Sequence, residues 1–335
     1  MTSVFTASSL RKTLLGVSLA TAAGVLSLSA QAMETMKIGT VVWVGQAPFY
    51  IADKLDLYKA HGLKVELQFF NDPTMVPPAM MSGALDGGTL TYDQVVASVA
   101  KGIPQRAVLP IDFSNGGDAI VAEKSITSVQ DFKGKKVGFS PLSTTDFLLA
   151  YALKSHGMSS KDIISVNLSP EAIPSAMASG SLPIGVTYEP NVSQTVNMPG
   201  DKYHVVYSSK DAPGLITDVL AFEEGVIAKR PEAIKALLKG YLDGLAYMQS
   251  HPDESAQIIA KVLGVTPAEA KEQLSGVYNI PLHEMGKNFE KSDATTSFYG
   301  SGAVIADLLK ANGQIPVIPD FADTFDAQFV EALSQ

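Results

Sequence analysis

Residues 37–70 read KIGTVVWVGQAPFYIADKLDLYKAHGLKVELQFF, and this stretch decides the fold class. Residues 37–42 are a short apolar run of the kind that forms a buried strand. A loop over 43–47 follows, and Pro48 suits a first helical turn, where its missing N–H would be unpaired anyway. Phe49, Ile51, Ala52, Leu55 and Tyr58 then recur at helical spacing until Gly62 ends the segment. Residues 65–70 are the next strand. Strand, helix and strand in this order form a βαβ unit, so a parallel sheet with helices packed on it is expected.

The same alternation continues outward. Helices are expected near 74–82 and 92–101 and a strand near 107–111. A second α/β series follows: strands at 135–139, 163–167, 184–188 and 203–208, with helices at 144–156 and 170–179. Residues 121–123 and 218–222 are expected to cross between two lobes, with crossings near 119–122 and 218–222. From Pro231 the pattern is almost purely helical (233–249, 252–263, 267–278 and 294–311). The expected fold is therefore α/β with two lobes, 33–120 plus 220–335 and 121–219, joined by a two-crossing hinge. The helical C-terminal segment returns to the first lobe. No repeat of 20–50 residues is visible.

The first 32 residues stand apart. Arg11 and Lys12 precede the apolar run TLLGVSLATAAGVLSLSA at 13–30, and Ala30-Gln31-Ala32 supplies small residues where signal peptidase cuts. An exported chain starting at Met33 is expected. The formal charge of −9 over 335 residues argues against nucleic acid, whose phosphates need a basic footprint. The absence of cysteine excludes disulfides, thiol catalysis and cysteine-held metals.

Catalytic signatures are missing. There is no G-x-S-x-G elbow, no phosphate loop and no complete dinucleotide fingerprint; Gly300-Ser301-Gly302 lacks its third glycine at Ile305. The five histidines are scattered, without metal-ligand spacing. Asp112, Ser114, Gly117 and Glu123 match some positions of a calcium loop, but Gly116 stands at the fifth, and 119–122 reads as strand. No enzyme, cofactor or metal is expected.

Polar and aromatic residues do gather where strands end, which is where ligands bind in open α/β sheets. Trp43 and Gln46, Thr91 and Tyr92, and Asp112 do so in the first lobe. In the second, Ser140, Ser143, Thr144 and Thr145 lie between a strand and a helix, where hydroxyls and free N–H groups suit an anion. Tyr188, Glu189 and Asp218 complete the set, and the two carboxylates suit an ammonium group. A small zwitterion is the expected solute.

The order of several segments resembles the periplasmic solute-binding proteins of ABC importers, in the nitrate/sulfonate/taurine group that includes binders of the thiamine pyrimidine precursor. The segments are 43–52 (WVGQAPFYIA) with 62–66 (GLKVE), 131–138 (DFKGKKVG), 176–180 (AMASG), Thr187-Tyr188-Glu189-Pro190 and Arg230-Pro231-Glu232-Ala233. Leu182-Pro183-Ile184 departs from the family's usual acidic residue and alanine. The resemblance implies a type II periplasmic-binding fold, hinge closure on a small-molecule ligand, and delivery to an inner-membrane permease by a monomeric receptor. Taurine or another aliphatic sulfonate is the first expectation for the ligand, and the pyrimidine precursor the second. A related eukaryotic enzyme makes that pyrimidine with a cysteine cluster, which this chain lacks.

Overall fold

A computed structural model describes residues 33–335; the signal segment expected at 1–32, with its cut after Ala32, lies outside the described residues. Strands β1 (Glu34–Val41) and β2 (Leu63–Phe70) run parallel, joined by α1 (Ala47–Lys54) and a 3-10 turn at Leu57–His61. The opening βαβ reading therefore holds. Helix α2 (Val76–Met81) leads to β3 (Gly87–Thr91), and α3 (Tyr92–Ala100) leads to β4 (Gln105–Ser114). The second series contains β5 (Asp118–Glu123), β6 (Lys136–Phe139), α4 (Thr144–Ser155), β7 (Ile164–Asn167), α5 (Ile173–Ala178), β8 (Ile184–Tyr188), α6 (Asn191–Val196) and β9 (Tyr203–Ser208). Strand β10 (Thr217–Glu223) follows. The remainder is helical but for one short strand: α7 (Glu224–Lys229), α8 (Pro231–Ser250), α9 (Pro252–Leu263), α10 (Pro267–Leu274), β11 (Val277–Asn279), α11 (Leu282–Phe289), α12 (Phe298–Ala311) and α13 (Gln328–Leu333). No described helix is long and apolar enough to cross a membrane.

Two sheets result, in the orders β11-β4-β10-β3-β1-β2 and β7-β6-β8-β5-β9. Neither expected crossing strand crosses. Strand β5 lies between β8 and β9, and β10 lies between β3 and β4, so each is fully paired within one sheet. The chain changes sheets in segments 115–117 and 209–216, which lie outside the named strands. Gly116 takes a φ of +110° there, which only glycine adopts without strain. The two passages touch: the Ser114 and Ser209 hydroxyls lie 2.8 Å apart, and the Gly116 N–H donates to Ser209 Oγ at 2.6 Å.

Each sheet is built around a glycine step. Gly39 and Gly88 are register partners on β1 and β3, as Gly138 and Gly185 are on β6 and β8. A short proline-containing helix presses on each pair. A Cβ at Gly88 would meet Val76 Cγ1 of α2 at 2.5 Å, and one at Gly185 would meet Ile173 Cγ2 of α5 at 2.3 Å. The two lobes thus repeat one construction, which the sequence echoes as MSGALDGG at 81–88 and ASGSLPIG at 178–185.

The C-terminal helices cover the first sheet. On α8, a Cβ at Gly240 would meet Tyr58 Cδ1 at 2.3 Å and one at Gly244 the Pro48 carbonyl oxygen at 2.3 Å, so α8 and α1 approach closely. Arg230 clasps the chain's start, donating to Glu34 at 2.8 Å, Asp86 at 2.6 Å and the Thr35 carbonyl at 2.6 Å. Gly88→Ala should lower stability by about 1–3 kcal/mol, the usual cost of overpacking. Gly225→Ala, whose Cβ would meet nothing within 4 Å, should not. Urea unfolding of the two variants gives the comparison.

Candidate functional site

Strand register assembles the site. Across the first sheet, Thr91, Asp218, Asp112 and Asn279 stand in one row, paired in turn between β3, β10, β4 and β11. Across the second, Asp118 of β5 pairs with Tyr188 of β8. Between these two edges lies a cavity of about 30 Å³, lined by Val41, Trp43, Gln46, Pro73, Thr89, Leu90, Thr91, Gln94, Asp118, Thr144, Tyr188 and Asp218. Space of that size holds about one or two waters.

The lobes touch across it. Trp43 meets the Tyr188 ring edge-on, with centroids 5.8 Å apart and planes at 81°. Thr144 Oγ1 donates to Thr91 Oγ1 at 2.7 Å. At the rim, Ser140 Oγ donates to Asp72 Oδ2 at 2.9 Å. Two glycines set the Trp43 position. A Cβ at Gly45 would lie 2.3 Å from both the indole Nε1 and Asp112 Oδ2, and a Cβ at Gly117 would lie 2.4 Å from the indole Cη2. Gly117 belongs to the first passage between the sheets, so that passage and the cavity wall share a contact.

The electrostatics are one-sided. Burial pushes Asp112 and Asp118 up to about 7 and Asp218 well above the ordinary carboxyl range, helped for Asp218 by the neighbouring Asp112 charge. Asp93, next to the lining residue Gln94 at the start of α3, rises to about 6 by burial. Gln46 Nε2 donates to Asp218 Oδ2 at 3.3 Å. Both Asp112 oxygens, Gln46 Oε1, Trp43 Nε1 and the Tyr188 hydroxyl have no hydrogen-bond partner in the protein. Asp112 lies beside Asp218 and the indole N–H. No Lys, Arg or His is among the described residues lining the cavity.

Of the residues expected from sequence, Trp43, Gln46, Thr91, Thr144, Tyr188 and Asp218 line this cavity, and Asp112 stands directly behind Asp218. The others are elsewhere, each for a local reason. Tyr92 points into the core, its hydroxyl bonded to the Phe298 carbonyl at 3.0 Å and to Thr324 Oγ1 at 2.7 Å. Ser143 caps α4, and Thr145 accepts the Ser140 N–H at 3.0 Å, so these hydroxyls close their own loop. Ser140 serves the rim contact with Asp72. Glu189 accepts from Ser193 N–H at 3.0 Å and Ser193 Oγ at 2.7 Å, an engagement at the start of α6 that takes it out of the cavity wall. The expected pairing of a hydroxyl-lined anion site with Glu189 and Asp218 is therefore not assembled. Asp118 and Gln94 were not expected. Asp118 immediately precedes the apolar run 119–122, and that strand-start position was the available signal.

The buried carboxyls set a pH dependence. An unfolded aspartate titrates near 3.9, whereas these keep their protons to about 6–7 or beyond. Between pH 4 and 7 the folded state binds more protons than the unfolded, so their contribution to stability is full at the acid end and is lost as pH rises. Surface carboxylates held low by hydrogen bonds, such as Asp131 and Asp162, oppose this below pH 4. The melting temperature of the solute-free protein should peak near pH 5 and fall towards pH 8. Asp112→Asn should flatten that fall.

Comparison with known proteins agrees with the architecture. The family described as "NMT1/THI5 like" matches residues 43–255. The taurine-binding periplasmic protein of Escherichia coli is 25% identical over 82% of this chain and 86% of its own. The alkanesulfonate-binding protein SsuA of Xanthomonas axonopodis, solved with MOPS bound, superposes with a TM-score of 0.73 at 17% identity, covering 88% of this chain and 98% of its own. The nitrate-binding protein NrtA of Synechocystis superposes at 0.71 and 16% identity, covering 91% of this chain and 89% of its own. The shared fold is the periplasmic-binding-protein fold.

Proposed function

The chain belongs to the NMT1/THI5-like family, and from that premise we propose that it is the substrate-binding receptor of an ABC importer. In this reading it is exported to the periplasm, closes two lobes around a small organic solute and hands that solute to an inner-membrane permease. Segments 115–117 and 209–216 are the hinge. The cavity of about 30 Å³ is too small for an organic solute, so the lobes part to admit one and shut on it. The cavity wall holds no His, Cys or Lys, and its Thr91 and Thr144 hydroxyls bond to each other; a receptor without turnover fits this wall.

The observation that carries the ligand class is the charge of that wall. Asp118 and Asp218, with Asp112 beside Asp218, face a small buried space whose lining includes no cationic side chain. Burying a bare anion against carboxyls costs several kcal/mol. A solute bearing a protonated nitrogen or an amino group satisfies them instead. The Trp43 and Tyr188 rings supply apolar walls for a flat solute, and the Gln46 amide supplies a polar edge. An amino-substituted heterocycle of the thiamine-precursor kind therefore comes first, ahead of the aliphatic sulfonate favoured on sequence alone. The Thr91–Thr144 hydroxyl pair and the resemblance to a taurine binder favour an amino-sulfonate as the second reading.

Trp43 is the chain's one tryptophan, so its fluorescence reports binding. The aminopyrimidine thiamine precursor should bind, taurine more weakly, and ethanesulfonate, which has no amine, least. Tight ethanesulfonate binding would overturn the cationic ligand class. Asp218→Asn should weaken an amine-bearing solute by about 1.5–3 kcal/mol, the scale of a charged hydrogen bond, and calorimetry reads that loss. Saturating solute should also compact the scattering profile. An unchanged profile would count against closure.

A further inference from the structure

We propose that Asp112 and Asp218 hold one proton between them in the solute-free protein, and that this proton occupies the place a cationic solute takes on binding. Its functional meaning rests on the cationic-solute reading above. The two residues are direct partners across the antiparallel β4–β10 pair, beside a register shift between Asp218 and Val219. Asp112 is fully buried, and Asp218 is 8% exposed. Neither Asp112 oxygen has a donor, and Gln46 Nε2 is the side-chain donor that reaches Asp218.

The groups around the pair offer no counter-charge. Asp118 faces it from β5, Asp93 from α3, Tyr50 from α1, Tyr241 from α8 and Tyr188 from β8. All are acids. Among the described residues no cluster is arranged to hold a metal ion. Two adjacent carboxylates buried without a counter-charge resist ionising together, and one shared proton turns their repulsion into an O–H···O⁻ bond. Burial acts in the same direction. Such a pair carries one negative charge in place of two while the cavity holds no solute. An entering cation replaces the shared proton, which passes to solvent, whereas an anion finds nothing to replace. The pair thus selects charge sign by exchange.

Infrared spectroscopy of the solute-free protein at pH 8 tests this, because Asp118 and Asp93 ionise below that pH. The protonated-carboxyl band should have the intensity of one group and should survive in Asp118→Asn. It should vanish in Asp112→Asn and in Asp218→Asn, because an asparagine amide then serves the remaining carboxylate as donor. A wild-type band of zero or two groups would overturn the pair, and this reading needs no variant to fold. A band surviving in either pair variant, or lost in Asp118→Asn, would also overturn it. The measurement uses no solute, so a screen finding only anionic ligands would overturn the functional reading while leaving this result intact.

Discussion

The absence of a side chain at four positions governs the whole arrangement. Where Gly39 meets Gly88, and Gly138 meets Gly185, neighbouring parallel strands present bare backbone. A helix of only six residues can then lie close enough for Val76 and Met80, or Ile173 and Met177, to be fully buried. Two of the four strands that carry these glycines, β3 and β8, end at Thr91 and Tyr188, one in each wall of the cavity. A methyl group at any of the four would lift a helix and shift the strand ends that face the solute.

At the site itself, desolvation outweighs every other electrostatic effect. It is the first cause of the raised titration of Asp93, Asp112, Asp118 and Asp218, ahead of hydrogen bonds that pull the other way for the first three and of the neighbouring Asp112 charge for Asp218. The carboxyls are buried because strand register places them there. Asp112 and Asp218 face each other on one rung of the β4–β10 ladder and cannot move apart without breaking the sheet. Such a conflict is costly to stability and is tolerated where function uses it.

Much of this was legible in the sequence. The βαβ opening, the second α/β series and the helical tail followed from apolar periodicity, and residues at strand ends found half of the cavity wall. The misses have distinct causes. Strand β3 was given no element of its own, because Gly87-Gly88 interrupts the apolar pattern and its close contacts are tertiary. Strand β11 was absorbed into the helical pattern of 267–278. The crossings were assigned to apolar runs, although a passage between sheets needs unpaired, turn-forming backbone. Glu189 and Ser143 show the commonest confusion at strand–helix junctions: the residues that bind ligands also cap helices, and only the hydrogen-bond partner distinguishes the two. Asp118 escaped because spacing cannot say which residue begins a strand.

The clasp on the chain's start bears on the order in which the molecule assembles. The second sheet is drawn entirely from one continuous stretch, Asp118 to Ser208, and can close as soon as that stretch is available. The first sheet cannot. Strand β3 lacks its second neighbour until β10 arrives at Thr217–Glu223, and Glu34 waits for Arg230. Contacts that span so much chain form slowly, because loop closure precedes their reward. A polypeptide delivered amino end first therefore keeps one half unfinished until most of its length has emerged.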